Sequence, residues 1–294
     1  MIKINGKKIE VKHFPDGTQM LLDVNMVALT FGSSVDRLGM LPNEKICLEW
    51  FYESDEECMT LWYLVNHIRK YDAHAYLTLT LLYIPNARMD RTKEMKEVFT
   101  LKYFADFINM MKFERVYVLD PHSNVSTALI DRVEEQDVTC YINTVLYKLD
   151  MRNVKNIAIF FPDAGAMKRY KDFPLLKNKT IIHGEKERDW KTGKILGISI
   201  YDANGLKIES LEGKDVLMID DIISYGGTMA YSADKLKELG AGKVYAYATH
   251  VENSILDEEK GTLLKRLQDG TVEKVFTTDS LFTKFNETKY VERV

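Results

Sequence analysis

The stretch from Val216 to Thr228 combines an apolar run, two adjacent carboxylates and a glycine-containing turn. The apolar run predicts a buried strand that leads into Asp220 and Asp221. Gly226 and Gly227 allow a tight turn whose N–H groups point outward, and the helical pattern that follows adds the positive end of its dipole, so an anion is favoured there. Two carboxylates beside an anion site can accept hydrogen bonds from neighbouring sugar hydroxyls or help to hold Mg²⁺. These residue types therefore predict a ribose phosphate site.

A purely structural explanation of the same stretch is also open. The two acids could cap the following helix, and the glycines could simply close the loop, which also contains Ser224, Tyr225 and Thr228. A pair of acids directly after a buried strand is costly without a ligand or a partner, however. We therefore favour the binding site.

Polar clusters also follow other predicted strands, at the point where each strand ends. In open α/β sheets, ligands bind outside the carboxyl ends of the strands, so these clusters are candidate site residues. They are Arg88 to Arg91 after the apolar run 76–84, Asp120 to His122 after 116–119, Asp163 after 156–161, and the charged stretch 185–194, with Lys186 and Arg188, after 179–182.

The composition is that of a globular protein with two ordinary domains: 294 residues, 46% apolar and 29% charged. The 44 acids and 40 bases give a net charge of −4 without long runs of one sign, so neither nucleic acid nor an anionic membrane is an expected partner. Cys47, Cys58 and Cys140 are widely spaced and predict no disulfide framework, which suits a reducing compartment. Because neither a signal-peptide pattern nor an apolar run of membrane-spanning length is present, we expect a cytoplasmic protein.

Strand and helix patterns alternate along most of the chain, which predicts an α/β fold with two similar domains. We place the domains at 1–145 and 146–294, with a boundary in the region 140–155. The first residues predict a hairpin, with strands at 9–14 and 20–24 around the turn Pro15-Asp16-Gly17. The charged stretch 185–194 lacks apolar anchors and predicts a mobile flap that orders over bound phosphates.

The motifs GxxxxGK[ST], GxGxxG, HExxH and GxSxG are absent, so a nucleotide would have to bind by another route. The loop from Asp220 to Thr228 resembles the PRPP-binding loop of type I phosphoribosyltransferases and PRPP synthetases. The order of all the polar clusters, from about Phe14 to Ser280, resembles the ribose-phosphate pyrophosphokinase (PRPP synthetase) family. This resemblance implies two phosphoribosyltransferase-like (type I) domains with mainly parallel sheets. The first would bind ATP, and the second would bind the ribose phosphate.

The resemblance also implies an ATP site in the first domain. The segment Phe14-Pro15-Asp16-Gly17-Thr18 is similar to a family loop, Phe-x-Asp-Gly-Glu, that reaches the ATP of a neighbouring subunit, although Thr18 replaces the Glu. A homo-oligomer with its ATP site near a subunit interface is therefore expected. The segment Arg88-Met89-Asp90-Arg91 is similar to the family's Arg-Gln-Asp-Arg, with Met89 in place of Gln, and its forked guanidiniums can grip a triphosphate.

Metal and catalytic residues follow from the same resemblance. The segments ending in His122 and containing Asp163 are similar to two family motifs that hold Mg²⁺, an ion that takes few protein ligands and completes its shell with water and phosphate oxygens. Lys186 and Arg188 match the first and third positions of the family's catalytic Lys-Arg-Arg. The implied reaction is transfer of the β,γ-diphosphoryl group of Mg-ATP to the anomeric hydroxyl of ribose 5-phosphate, which releases AMP.

One departure concerns the acceptor, since Ser224 and Tyr225 stand where the family has Asp-Thr. Tyr225 cannot replace a small hydroxyl in a cramped loop, but it can line a wider pocket. An acceptor with an extended 5-phosphate, such as ADP-ribose, is thus a hypothesis; it resembles a phage-type branch associated with NAD⁺ rebuilding. Ribose 5-phosphate remains the default acceptor. Two other functions stay open: an inactive nucleotide- and ribose-phosphate-binding regulatory subunit, and a phosphoribosyltransferase, which would explain the loop but not the clusters of the first half.

Overall fold

The computed structural model describes residues 1–22, 24, 45–152, 154, 156–188 and 195–294. At residues 186–188 and 195–196 the backbone alone is described. The chain divides into two compact units, Met1–Gln136 and Asp137–Val294.

The first unit is organised around a six-stranded sheet. The described strands of this unit are β1 (Ile2–Ile4), β2 (Lys7–Lys8), β3 (Glu10–His13), β4 (Gln19–Leu22), β5 (Ile46–Trp50), β6 (Leu77–Leu81), β7 (Arg115–Leu119) and β8 (Val133–Gln136), and all but β3 and β4 belong to this sheet. The sheet order is β2-β1-β5-β6-β7-β8, in which β5 to β8 are parallel and β1 is antiparallel to β5 and β2. Strands β3 and β4 form a separate antiparallel hairpin.

Helices α1 (Glu57–Tyr71), α2 (Thr100–Met110) and α3 (Asn124–Leu129) connect the parallel strands of this unit. Apolar side chains at helical spacing on α1 and α2 pack against alternating strand residues and form one core. The core includes Leu61, Leu64 and Ile68 of α1, Leu101, Ala105 and Ile108 of α2, and Leu48, Leu79 and Val118 of the sheet.

The second unit is organised around a seven-stranded sheet in the order β11-β10-β9-β12-β13-β14-β15. The strands are β9 (Ile157–Phe161), β10 (Thr180–Arg188), β11 (Ile195–Asp202), β12 (Asp215–Ile223), β13 (Val244–Val251), β14 (Lys274–Thr277) and β15 (Val291–Arg293). All neighbouring pairs are parallel except β10 with β11, which form an antiparallel arm.

Helices cover both faces of the second sheet, as expected for parallel strands whose residues are apolar on both sides. The helices are α4 (Thr139–Met151), α5 (Ala164–Tyr170), α6 (Gly227–Glu238) and α7 (Thr262–Gln268). Side chains of α6 and α7, such as Met229 and Leu263, join one core with β9, β10, β12 and β13. Phe161 of β9 faces the other side of the sheet, where its ring stacks on that of Tyr170 of α5, with ring centroids 6.2 Å apart.

The structure confirms the predicted α/β fold with two mainly parallel sheets, and it confirms the hairpin near the start of the chain. The division at 145/146 falls inside α4, which belongs entirely to the second unit. The strand predicted at 179–182 is longer in the structure, because β10 continues to Arg188 by pairing with β11 and so includes residues 185–188 of the predicted flap. The rest of the expected flap, 189–194, lies outside the described residues.

Cys47, Cys58 and Cys140 are free thiols. Within the part of the chain that the structure describes, none of the helices has the length and apolar character needed to cross a bilayer.

A charge network joins α4 to the edge of the second sheet. The Glu292 carboxylate on β15 accepts hydrogen bonds from Lys148 of α4 (3.1 Å) and from Arg152, which directly follows α4 (2.8 Å). It also lies 3.2 Å from the Lys274 ammonium on β14. Partial burial opposes ionisation of Glu292, but the three cationic partners outweigh it and lower its pKa to about 2. The network therefore stabilises the second unit only while Glu292 is ionised.

We expect Glu292→Gln to lower the free energy of unfolding at pH 7 by roughly 1–2 kcal/mol, a value reduced from the full pKa shift because the carboxylate is partly exposed to solvent. Since the pKa of Glu292 is lower in the folded chain than in the unfolded chain, the difference is present above about pH 4.5 and disappears as the pH falls toward 2. Urea unfolding at pH 7 and pH 3 measures it. Glu287→Gln, at an exposed pair with Lys284, is the control. Equal effects of Glu292→Gln at both pH values would contradict the account.

Candidate functional site

In the second unit, the direction in which the chain adds strands to the sheet reverses between β9 and β12. From β9 the chain moves to β10 on one side, and from β12 it moves to β13 on the other side. In open α/β sheets such a switch point opens a crevice at the carboxyl ends of the strands. The parallel register pairs Phe160 with Met218, so Asp163, which follows β9, and Asp220 and Asp221, near the end of β12, lie at the same edge. The structure thus brings together three carboxylates that the sequence predicted as site residues.

The two adjacent acids of β12 have different partners. Asp221 is 4% exposed, and its Oδ1 lies 3.3 Å from Nη1 of Arg169 on α5. Asp220 accepts a hydrogen bond of 3.0 Å from the backbone N–H of Asp221. Arg169 therefore compensates the charge of Asp221 directly, whereas an ionised Asp220 needs further hydrogen-bond donors or a cation to offset its burial.

The electrostatics of Asp220 show this need. Burial raises its pKa well above the usual value of an aspartic acid, and the charge of Asp221, a hydrogen bond between the two carboxyl groups and the charge of Asp163 raise it further. A hydroxyl donor or a cation placed beside Asp220 would favour its ionised form. This is the behaviour expected of a polar group that completes its contacts only with a ligand.

Asp163 serves two purposes in this geometry. Its Oδ1 accepts the backbone N–H of Ala166 at 3.0 Å and so caps α5, while the residue itself is exposed at the crevice. Among the described residues, no three His, Cys, Asp or Glu side chains are grouped to hold a metal ion. An ion bound by one exposed carboxylate here would need oxygen atoms from a ligand, which fits Mg²⁺ bound together with a phosphate chain.

The loop after β12, residues 224–228, has backbone features that favour an anion, and we call it the anion loop. Gly226 has a φ of 77°, a conformation that favours glycine, and a Cβ at this position would lie only 2.3 Å from Cβ of Leu263. Gly227 begins α6, so the N–H groups of the first turn and the positive end of the helix dipole face the crevice. Ser224 and Thr228 are half-buried, whereas the Tyr225 side chain is 38% exposed at the rim of the loop.

The two predicted catalytic residues lie on the arm formed by β10 and β11. Lys186 and Arg188 belong to β10, where Lys186 pairs with Ile198, but their side chains are outside the described part of the structure. Gly184 precedes them, and a Cβ there would lie 3.0 to 3.2 Å from Phe160, Ile198 and the carbonyl of Pro162. Glycine therefore lets the base of the arm lie close to the turn that carries Asp163.

In the first unit, the predicted ATP loop is the tip of the β3–β4 hairpin. Asp16 accepts hydrogen bonds from the backbone N–H (2.9 Å) and hydroxyl (2.7 Å) of Thr18, and these bonds lower its pKa. Gly17 has a φ of 84°, and Phe14 is 49% exposed. Because the Asp16 carboxylate and the Thr18 hydroxyl bond each other, they shape the turn and leave the ring of Phe14 as its exposed apolar group.

The other candidate residues of the first unit follow neighbouring parallel strands. Arg88, Met89, Asp90 and Arg91 come after β6, and His122 comes after β7, so both groups lie at the carboxyl edge of the sheet. Arg88 and Arg91 are exposed, and Nε of Arg91 lies 3.4 Å from Oδ1 of Asp90. His122 is half-buried. His122 and Asp163 belong to different units.

Some residues that support the site leave no pattern in the sequence. Arg169 is one of two adjacent basic residues in the short helix α5, and nothing in its spacing predicts the contact with Asp221. Thr262 and Leu263 lie far along the chain from the anion loop, yet both donate hydrogen bonds to the carbonyl of Tyr225. Such contacts depend on the packing of whole elements and leave no local pattern.

No protein-family model matches the chain. Ribose-phosphate pyrophosphokinases resemble it over most of its length: that of Pasteurella multocida is 29% identical over 235 residues, which cover 78% of this chain and 68% of that protein. The one from Porphyromonas gingivalis is 24% identical over 276 residues, with 93% and 78% covered. A crystal structure of phosphoribosylpyrophosphate synthetase from Mycobacterium smegmatis matches with a TM-score of 0.71 and 17% identity, covering 98% of this chain and 85% of that chain. The chain is therefore similar to ribose-phosphate pyrophosphokinases along most of its length, and it has the fold of a phosphoribosylpyrophosphate synthetase.

Proposed function

We propose that the chain is a Mg-ATP-dependent diphosphokinase that transfers the β,γ-diphosphoryl group of ATP to the anomeric hydroxyl of a ribose phosphate and releases AMP. The observation that carries the proposal is the switch-point site of the second unit. There an anion loop, a pair of acids on β12 and an exposed Asp163 after β9 lie at one edge of the sheet. The similarity to ribose-phosphate pyrophosphokinases along most of the chain supports the same activity.

The acceptor would bind at the carboxyl end of β12. The N–H groups of the loop 226–228 would bind its phosphate, since the helix dipole gives the start of α6 a partial positive charge. Asp220 and Asp221 would accept hydrogen bonds from the two ribose hydroxyls. A hydroxyl donor beside Asp220 would offset the loss of hydration that raises its pKa, so binding and ionisation would support each other.

The donor nucleotide would use the residues that follow β6 and β7. Arg88 and Arg91 have planar, permanently charged groups that match phosphate oxygens, and both are exposed for such contacts. His122 and Asp163 are the Mg²⁺ ligands that the resemblance implies, and bound Mg²⁺ would neutralise charge on the phosphate chain. Phe14 at the hairpin tip would stack on the base, and a neighbouring subunit of a homo-oligomer would supply it.

The chemical step requires positioning and charge stabilisation more than covalent catalysis. The anomeric oxygen forms a bond to the β-phosphorus, and the bond between that phosphorus and the oxygen that bridges to the α-phosphorus breaks. AMP leaves with the bridging oxygen, and the hydroxyl proton is released. Lys186 and Arg188 would stabilise the charge on the transferred group from the β10–β11 arm.

Tyr225 makes ADP-ribose the alternative acceptor to ribose 5-phosphate. Its side chain is at the rim of the anion loop and is 38% exposed, so it can contact a group that extends beyond the 5-phosphate. An adenine or an attached phosphate chain offers a stacking surface or a hydrogen-bond acceptor to a phenol.

We expect Lys186→Ala to lower kcat by about 10²–10³-fold, because one charge-stabilising donor of a transition state is lost. The dissociation constant of Mg-ATP should change little, since the arginines and the metal hold the ground-state nucleotide. Acceptor-dependent release of AMP and calorimetric titration with ATP measure the two effects. Lys177→Ala, at an exposed position before β10, is the matched control. Turnover of Lys186→Ala equal to that of the wild type would contradict the assignment.

If Tyr225 selects an extended acceptor, Tyr225→Thr should reduce the preference for ADP-ribose over ribose 5-phosphate, measured as the ratio of the two kcat/KM values. We expect this ratio to fall by about tenfold, because one stacking contact with a base is lost. AMP release with each acceptor gives the ratio. Tyr231→Thr changes another exposed tyrosine on α6 and should leave the ratio as it is. A ratio that Tyr225→Thr leaves unchanged would show that the ring does not contact the acceptor.

A further inference from the structure

The start of α7 supports the loop that follows β12. The carbonyl of Tyr225 accepts a hydrogen bond from the Thr262 hydroxyl at 3.1 Å and another from the backbone N–H of Leu263 at 3.2 Å. Both donors belong to the first two residues of the helix. Two donors on one carbonyl restrict the rotation of the peptide between Tyr225 and Gly226, and this peptide leads directly into the loop's N–H groups.

Steric contacts fix the same peptide. Because a Cβ on Gly226 would lie 2.3 Å from Cβ of Leu263, the backbone of the loop rests directly on this side chain. A Cβ on Gly227 would be 3.6 Å from the Thr262 hydroxyl oxygen, which is ordinary contact distance. Thr262 and Leu263, which we call the clamp, therefore hold the loop by both hydrogen bonding and packing.

The clamp itself is held firmly. Leu263 is fully buried in the core of the second unit. Arg266, one turn further along α7, makes two parallel hydrogen bonds to Asp234 of α6, from Nε at 2.6 Å and from Nη2 at 2.8 Å. Because α6 starts at the anion loop, this forked pair fixes the helix that carries the loop against the helix that carries the clamp. The loop is thus supported at its turn and through its helix.

We infer that Thr262 is a positioning residue for the acceptor phosphate: its hydroxyl orients the Tyr225 carbonyl and so sets the direction of the N–H groups of 226–228. The inference rests on the proposed function for its effect on the acceptor. It does not rest on that function for its effect on the loop, which is a property of the folded chain.

The test compares Thr262→Val, which keeps the shape and removes the hydroxyl, with Thr262→Ser, which restores it. We expect Thr262→Val to raise the KM for the acceptor by about tenfold, the effect of one lost hydrogen bond, while the KM for ATP stays within about twofold. Thr262→Ser should return the acceptor KM toward the wild-type value. Thr144→Val removes a hydroxyl bonded to the Cys140 carbonyl on α4 and should change neither constant. An unchanged acceptor KM in Thr262→Val would overturn the inference.

A second readout separates this inference from the proposed function. Hydrogen exchange of the amides at 224–228, measured on the full chain without ligand, should be roughly three- to tenfold faster in Thr262→Val than in the wild type and Thr144→Val. If the wild type shows no turnover but exchange increases, the clamp stands and the proposed function fails. If exchange in the loop is unchanged, or rises equally throughout the second unit, Thr262 is a residue of general stability and the inference fails.

Discussion

The site of the second unit depends on the electrostatic cost of two adjacent carboxylates, Asp220 and Asp221, near the end of a buried strand. Loss of hydration and mutual repulsion both disfavour their ionised forms. The structure meets this cost unequally, since Arg169 pairs with Asp221 whereas the pKa of Asp220 remains well above the usual value. A pair in which one acid has a cationic partner and the other keeps a raised pKa fits the binding role proposed for this site. Stability alone would be served better by an apolar pair at these positions.

The parallel sheet turns this local constraint into a site. Because β12 lies between β9 and β13, and the chain leaves β9 and β12 in opposite directions, the crevice opens where the acids are. Glycines at 184 and 226 then allow backbone to approach where a Cβ would clash, first at the base of the arm and then at the anion loop. The conformations of arm and loop are thus set by close packing with Phe160 and Leu263.

The parts of the fold and the site that were predictable follow from local patterns. Apolar runs ending in polar residues placed β6, β7, β9 and β12 correctly, and the glycines that follow β12 predicted the turn into α6. Local sequence patterns do not predict three other features. The helix at 139–151 lacks a Pro or Gly boundary, so its membership in the second unit follows only from packing. The length of β10 depends on its pairing with β11. The contact of Arg169 is with Asp221, 52 residues along the chain, and that of Thr262 is with Tyr225, 37 residues along the chain.

The central claim is that the site transfers a diphosphoryl group to a ribose phosphate. The most direct measurement is ³¹P NMR of the wild-type chain with Mg-ATP and either ribose 5-phosphate or ADP-ribose. The account predicts that one of these acceptors produces AMP together with an equal amount of a sugar that carries a new diphosphate at its anomeric carbon. Formation of ADP in place of AMP, or AMP in amounts that do not depend on the acceptor, would contradict it.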